Sequence, residues 1–310
     1  MIKKSFCRVK ICVCRDFFVT LWPNFYCMVI LFENINKGEW LQTITDGIRN
    51  SAVVDVTEKI ELNFSMDVKK DLLKPFHIVT YACLIQYLID KGFVVLQGQT
   101  NKEAAAYIYS DLGLCKYWKG SNHEEVSGDE ILNLWRIIES EKDLFSKRVE
   151  NYFRNTYFRD KDTSAISLSL VEAFYNVFDH ADAGNNAFSQ VMYDADKKLL
   201  HVAVSDFGKG IVGTVRAFDS SIKTDTEALE RAIRDDFTIS STTHNKGKGL
   251  DIILSCAETA RIFSGNALLV KTTGGKRFIE TSFAYPGTLI YYDIDLSQLE
   301  DLEIIDEFNL

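Results

Sequence analysis

From about Ile60 onward, apolar and polar positions fall into runs that alternate between strand-like and helical spacing. Ile60–Phe64 reads as a short strand. Pro75–Lys91 predicts a helix, with Ile78, Tyr81, Ala82, Ile85 and Leu88 on one apolar face and Gly92 as its stop. Phe93–Leu96 follows as a second strand, and Lys102–Leu112 as a second helix ended by Gly113. Strand–helix–strand–helix spacing of this kind suggests a small α/β layer structure.

The polar stretch Tyr117–Asp129, with Gly120, Ser121, Asn122 and Gly128, reads as a linker. Beyond it, Ile131–Tyr152 predicts a helix with Leu132, Leu134, Trp135 and Ile138 apolar, and Ser164–His180 predicts another. Strand-like runs then occupy Phe188–Tyr193, Leu199–Val204, Ala267–Thr272, Arg277–Phe283 and Thr288–Asp293. The sequence holds no internal repeat and no low-complexity tract.

Length and composition fit two compact globular domains: 310 residues, 46% hydrophobic and 25% charged. The formal charge of −9 argues against nucleic acid as the primary ligand, since phosphate-backbone binding needs a basic face. A local basic cluster around a nucleotide is still compatible with it. The seven cysteines are odd in number and form no paired CxxC units, so neither a disulfide framework nor a zinc site is indicated. Reduced thiols in a cytoplasmic protein are the plain expectation. Near the N-terminus, Arg8, Lys10, Arg15 and Asp16 break any signal-like apolar region. Pro23 and Asn24 interrupt Phe17–Phe32, which is too short to span a membrane. Residues 1–27 read as an upstream extension of the reading frame.

Three segments carry candidate chemistry. In Val171–Ala181, Glu172, Asn176 and His180 fall at i, i+4 and i+8 and share one helical face. An exposed surface helix would satisfy that pattern, but a mid-helix Asn gains little unless it finds a partner such as a metal ion. Leu199–Val204 runs into Ser205-Asp206-Phe207-Gly208-Lys209-Gly210, a D-x-G-x-G at the mouth of a strand. There an Asp can accept a hydrogen bond from an adenine amino group, and glycines let backbone approach a ligand; an ordinary glycine turn is the plainer reading. Lys246-Gly247-Lys248-Gly249-Leu250 leads into apolar Ile252–Leu254, so glycine amides opening a helix would face an anion, or the segment is a solvated lysine turn.

In this order and spacing the three segments resemble the GHKL (Bergerat-fold) superfamily, which includes gyrase, large heat-shock chaperones, MutL-type repair proteins and sensor histidine kinases. Glu172, Asn176 and His180 match its N box. Asp206–Gly210 matches the first glycine box, Gly247–Leu250 the second, and Gly287-Thr288 the late G-T element. The resemblance covers roughly Ser164–Leu296. It implies ATP and Mg²⁺ as ligands, with Asn176 holding the metal ion and Asp206 recognising adenine beside Gly208 and Gly210. Gly247, Lys248 and Gly249 would wrap the β- and γ-phosphates and His180 would face phosphate, with Lys246, Leu250 and Thr288 also in the nucleotide-binding set. Glu172 occupies the general-base position of the ATPase branches. Ile211–Lys246 would form the ATP lid, with Thr242 and Thr243 among its donors.

The first half resembles a STAS domain, although Leu73-Lys74-Pro75-Phe76-His77 lacks the serine phosphorylated in anti-anti-sigma proteins. The expected fold is therefore α+β. A C-terminal α/β two-layer sandwich of GHKL type (161–310), with a mixed, mostly antiparallel sheet, follows a STAS-like domain (28–116) and linker helices (117–160). The expected activity is a Mg-dependent ATPase or nucleotide-gated switch acting on a protein partner or on a second copy. The alternatives are a serine/threonine kinase of the anti-sigma type, or an ATP-binding interaction module without catalysis. None of His77, His123, His180, His201 and His244 lies in an H-E/D-x-x-T/N phosphoacceptor helix, which disfavours a histidine kinase. Gly275-Lys276 is followed by Arg277, so it is no Walker A motif.

Overall fold

The computed structural model describes residues 27–112, 114, 134–137, 139–178, 182–184, 186–234 and 249–302. The expected linker core, His180, Thr242, Thr243, Lys246, Gly247 and Lys248 lie outside the described residues. The protein is α+β, with one parallel and one antiparallel sheet.

The first sheet orders β1 (Cys27–Phe32), β2 (Lys59–Phe64) and β3 (Val94–Gln97) side by side, all parallel. Each crossover is a helix: α1 (Lys37–Ser51) and α2 (Pro75–Asp90), followed by the short α3 (Lys102–Ala106). The Asn36 side chain caps α1 by accepting from the Gly38 and Glu39 N–H groups at 3.0 and 3.4 Å. Trp40, Leu41 and Ile44 then turn inward, and Trp40 Nε1–H donates to Thr80 Oγ1 on α2 at 3.0 Å. Both β1 and α1 precede the point where the sequence pattern becomes regular.

The second sheet has the order β4-β5-β6-β8-β7: β4 (Trp135–Arg136), β5 (Ala187–Asp194), β6 (Leu199–Asp206), β8 (Gly275–Asp295) and β7 (Thr259–Thr272). All its pairings are antiparallel, where a mixed sheet was expected. Helices α4 (Lys142–Tyr157), α5 (Ser164–Asn176), α6 (Gly210–Phe218), α7 (Asp225–Ala232) and α8 (Gly249–Cys256) cover one face. Alternation along the strands sends Val191, Val202, Val204, Ile262 and Ile290 into that core.

The opposite face of this sheet is not open. Phe188, Ala203, Phe263, Leu289 and Tyr291 share one core with α1, α2 and the parallel sheet. The layers therefore run parallel sheet, α1 and α2, antiparallel sheet, then the outer helices. Helix α2 lies between two sheets and is buried around nearly its whole circumference, from Pro75 to Leu88, rather than on the single face the spacing suggests.

Further sequence expectations are corrected. Trp135–Arg136, expected within a helix, is an edge strand on β5, with the Trp135 ring buried among Phe145 and Phe174; the helix starts only at Lys142. Short apolar runs do not distinguish the two states, and pairing decides. The two last strands are one, β8, because Pro286-Gly287 is absorbed where its register against β7 shifts. Finally, the first part of the expected lid is built into the fold. Ile211, Val212, Val215, Ala228 and Leu229 of α6 and α7 are core residues. Asp225 ties α7 to Arg216 at 2.6 Å and to the Asn266 N–H at 2.7 Å.

Candidate functional site

One row of the antiparallel sheet, Ala187–Asp206–Thr288–Ser264, marks the end where the candidate residues collect. Helix α5 begins beside the opposite end, where the Asp162 N–H donates to the Glu300 carbonyl at 2.9 Å, and runs along the sheet to Asn176. Helix α8 runs back. It starts at Gly249, and the residue pair after it is held at Asp293, where the Glu258 N–H donates to the Asp293 carbonyl at 2.8 Å. The C-terminus of α5 and the N-termini of α6 and α8 thus lie at the Asp206 end of the sheet.

Two groups of side chains form there. In the first, Gly249 meets Glu172 and Asn176: a Cβ on it would lie 2.6 Å from Glu172 Oε2 and 3.8 Å from Asn176 Nδ2. A side chain at this position would have to push the Glu172 carboxylate aside. Asn176 Nδ2 donates to the Glu172 carbonyl at 2.8 Å. Because a carbonyl can only accept, the amide orientation is set by chemistry, and Oδ1 is the atom left for a cation or for water. Leu250 is a core side chain at 5% exposure, so only its backbone can serve a ligand.

The second group surrounds Asp206 at the end of β6, 2% exposed. The Gly208 N–H donates to its Oδ1 at 2.9 Å, and the Thr288 N–H also bonds the carboxylate. Burial outweighs both bonds and pushes the Asp206 pKa up to about 7. Gly210 opens α6 with φ +68°, and a Cβ on it would strike the Gly287 carbonyl oxygen and Ser264 Oγ at 2.5 and 2.6 Å. Thr288 Oγ1 accepts from the Ile211 N–H and Ser264 Oγ from the Val212 N–H, both at 3.2 Å. These hydroxyls cap α6, so Thr288 holds the glycine turn in place. Ser264 and Asn186 carry no local signal in the sequence; strand register brings Ser264 to this row, and Asn186 lies beside it, one residue before β5.

Among the described residues, no group of three or more His, Cys, Asp or Glu converges as a metal cage. Mg²⁺ bound with a nucleotide does not need one, since phosphates and water supply most of its oxygen ligands. One amide oxygen beside a carboxylate at a helix N-terminus fits that donor set. No described helix is long and apolar enough to cross a membrane. No protein-family profile, curated protein or solved structure matches the chain.

Proposed function

We propose that this protein binds Mg-ATP at the Asp206 end of its antiparallel sheet, in a pocket of GHKL type. On this reading the nucleotide is hydrolysed, or its binding gates contact with a protein partner or a second copy. The observation that carries the reading is the seating of Gly249 against Glu172 and Asn176, at the same sheet end as Asp206. These residues come from three segments far apart in sequence.

The roles follow from atom types. Asp206 accepts from the exocyclic amino group of adenine, while Gly210, packed against Gly287 and Ser264, holds the turn that follows it. The backbone amides that open α8 face the phosphates, as helix N-termini do for anions. Asn176 Oδ1 holds Mg²⁺, which neutralises the triphosphate when bound. Glu172, one turn before Asn176, takes a proton from water as a general base. The parallel α/β unit in front is read as STAS-like, a partner-facing module.

Titration with a fluorescent ATP analogue, with and without Mg²⁺, tests the assignment. Asn176→Ala should abolish the gain that Mg²⁺ provides, and unchanged Mg²⁺ dependence would remove Asn176 from the site. Glu172→Ala should keep binding and lower hydrolysis by about 10²- to 10⁴-fold. Hydrolysis at the wild-type rate would leave Glu172 without the proposed role. Label transfer from γ-labelled ATP to protein, in place of phosphate release, would favour the kinase alternative.

A further inference from the structure

Helix α2 of the parallel unit grips the two residues that flank Asp206. On one side, Cys83 Sγ lies 3.4 Å from both the carbonyl oxygen and Oγ of Ser205, and Ser205 Oγ is 2.6 Å from the Tyr285 hydroxyl. On the other, the Phe207 N–H donates to the Asn186 carbonyl at 3.1 Å, while Asn186 Nδ2 donates to the Cys83 carbonyl at 3.1 Å. The Phe207 ring sits edge-on between Tyr87 of α2, at 6.3 Å, and Tyr285, at 5.7 Å. Cys83, Asn186, Ser205 and Tyr285 are all buried. Buried polar groups bonded in this way resist displacement, because breaking one contact strands its partner.

We propose that Asn186 and Cys83 are positioning residues for base recognition: they fix the Asp206 carboxylate through Phe207 and Ser205 and make the parallel unit a sensor of nucleotide occupancy. The inference rests on the nucleotide reading above. A ligand that draws on Asp206 must work against, or be held by, the contacts of α2. By reciprocity, if nucleotide binding changes the affinity of the parallel unit for a partner, that partner changes nucleotide affinity by the same factor. A partner docking on the parallel unit would therefore act on a site that it never touches.

The test compares ATP with inosine triphosphate, which lacks the amino group that Asp206 is to recognise. Wild type should favour ATP, and Asn186→Ala should reduce that preference by about tenfold, a typical size for coupling between sites. A fold that is merely loosened loses affinity for both nucleotides alike and keeps their ratio. Cys83→Val removes the thiol donor at the cost of one extra methyl group and should shift the ratio the same way, while Cys83→Ser should restore it. A preserved ATP preference in Asn186→Ala and Cys83→Val overturns the proposal. As a measurement free of variants, ATP should change amide hydrogen exchange across Cys83–Tyr87 of wild type, and no change there also overturns it. Wild type binding neither nucleotide sinks the nucleotide reading itself, and this inference with it. Wild type binding both equally removes Asp206 as the base-recognising group and overturns the inference, while ATP binding itself stands.

Discussion

Gly287 offers the sharpest test of the geometry at the end of the antiparallel sheet. A Cβ placed on it would strike the Asp206 carbonyl oxygen first, and would stand 2.7 Å from Asp206 Oδ1 and 2.8 Å from the Asp206 carbonyl carbon, where ordinary contact begins at 3.4 Å. The Gly287 backbone is not left-handed, so the penalty of Gly287→Ala is steric. Strands β6 and β8 would have to part by about 1 Å in a region packed as densely as a molecular crystal. Backbone cannot rotate away as a side-chain tip can. The cost therefore falls at the upper end of the range for overpacking, about 3 kcal/mol. Gly213→Ala provides the control: it sits on an exposed turn of α6, and the nearest atom to its new Cβ is Lys209 Cβ at 3.7 Å. That change should stabilise by about 0.5 to 1 kcal/mol, through helix propensity and a stiffer unfolded chain. Urea denaturation followed by far-ultraviolet circular dichroism should move the two midpoints in opposite directions at unchanged slope. The displaced carboxylate should also cost Gly287→Ala its ATP binding. If Gly287→Ala matched wild type to within about 0.5 kcal/mol, the close approach of Gly287 to Asp206 would be refuted.

The raised Asp206 pKa makes stability depend on pH in a defined direction. With an unfolded value of 3.8 and a folded value of about 7, the folded state keeps a proton that the unfolded chain releases. Its contribution is present in full below pH 3.8 and is lost as pH rises through about 7. Urea midpoints measured from pH 5 to 8 should fall toward neutrality more steeply in wild type than in Asp206→Asn, and equal slopes would contradict the burial argument. Asp225→Ala should cost about 2 kcal/mol, because it strands the Asn266 N–H and unties Arg216. A change that left thermal stability untouched would return α7 to the role of a free lid.

Much of this arrangement was legible locally. The glycine turn after β6, the i, i+4 pair Glu172 and Asn176, and the glycine that opens α8 are short-range patterns. Each is written into a few consecutive residues, because backbone freedom and helical spacing are local properties. The all-round apolar character of Pro75–Leu88 also marks a helix with no solvent face, although its spacing alone suggested one side. What covers such a helix is a different kind of fact. The second sheet packed on α2, the strand at Trp135–Arg136, and the merging of the last two strands across Pro286-Gly287 all depend on pairing between segments distant in the chain. So does the row that aligns Ser264, Thr288, Asp206 and Ala187. A residue's neighbours in sequence set which conformations are cheap for it. Which partner its backbone bonds and its buried face meet is decided only when the whole chain closes, and there Asp206 acquired its burial, its raised pKa and its link to α2.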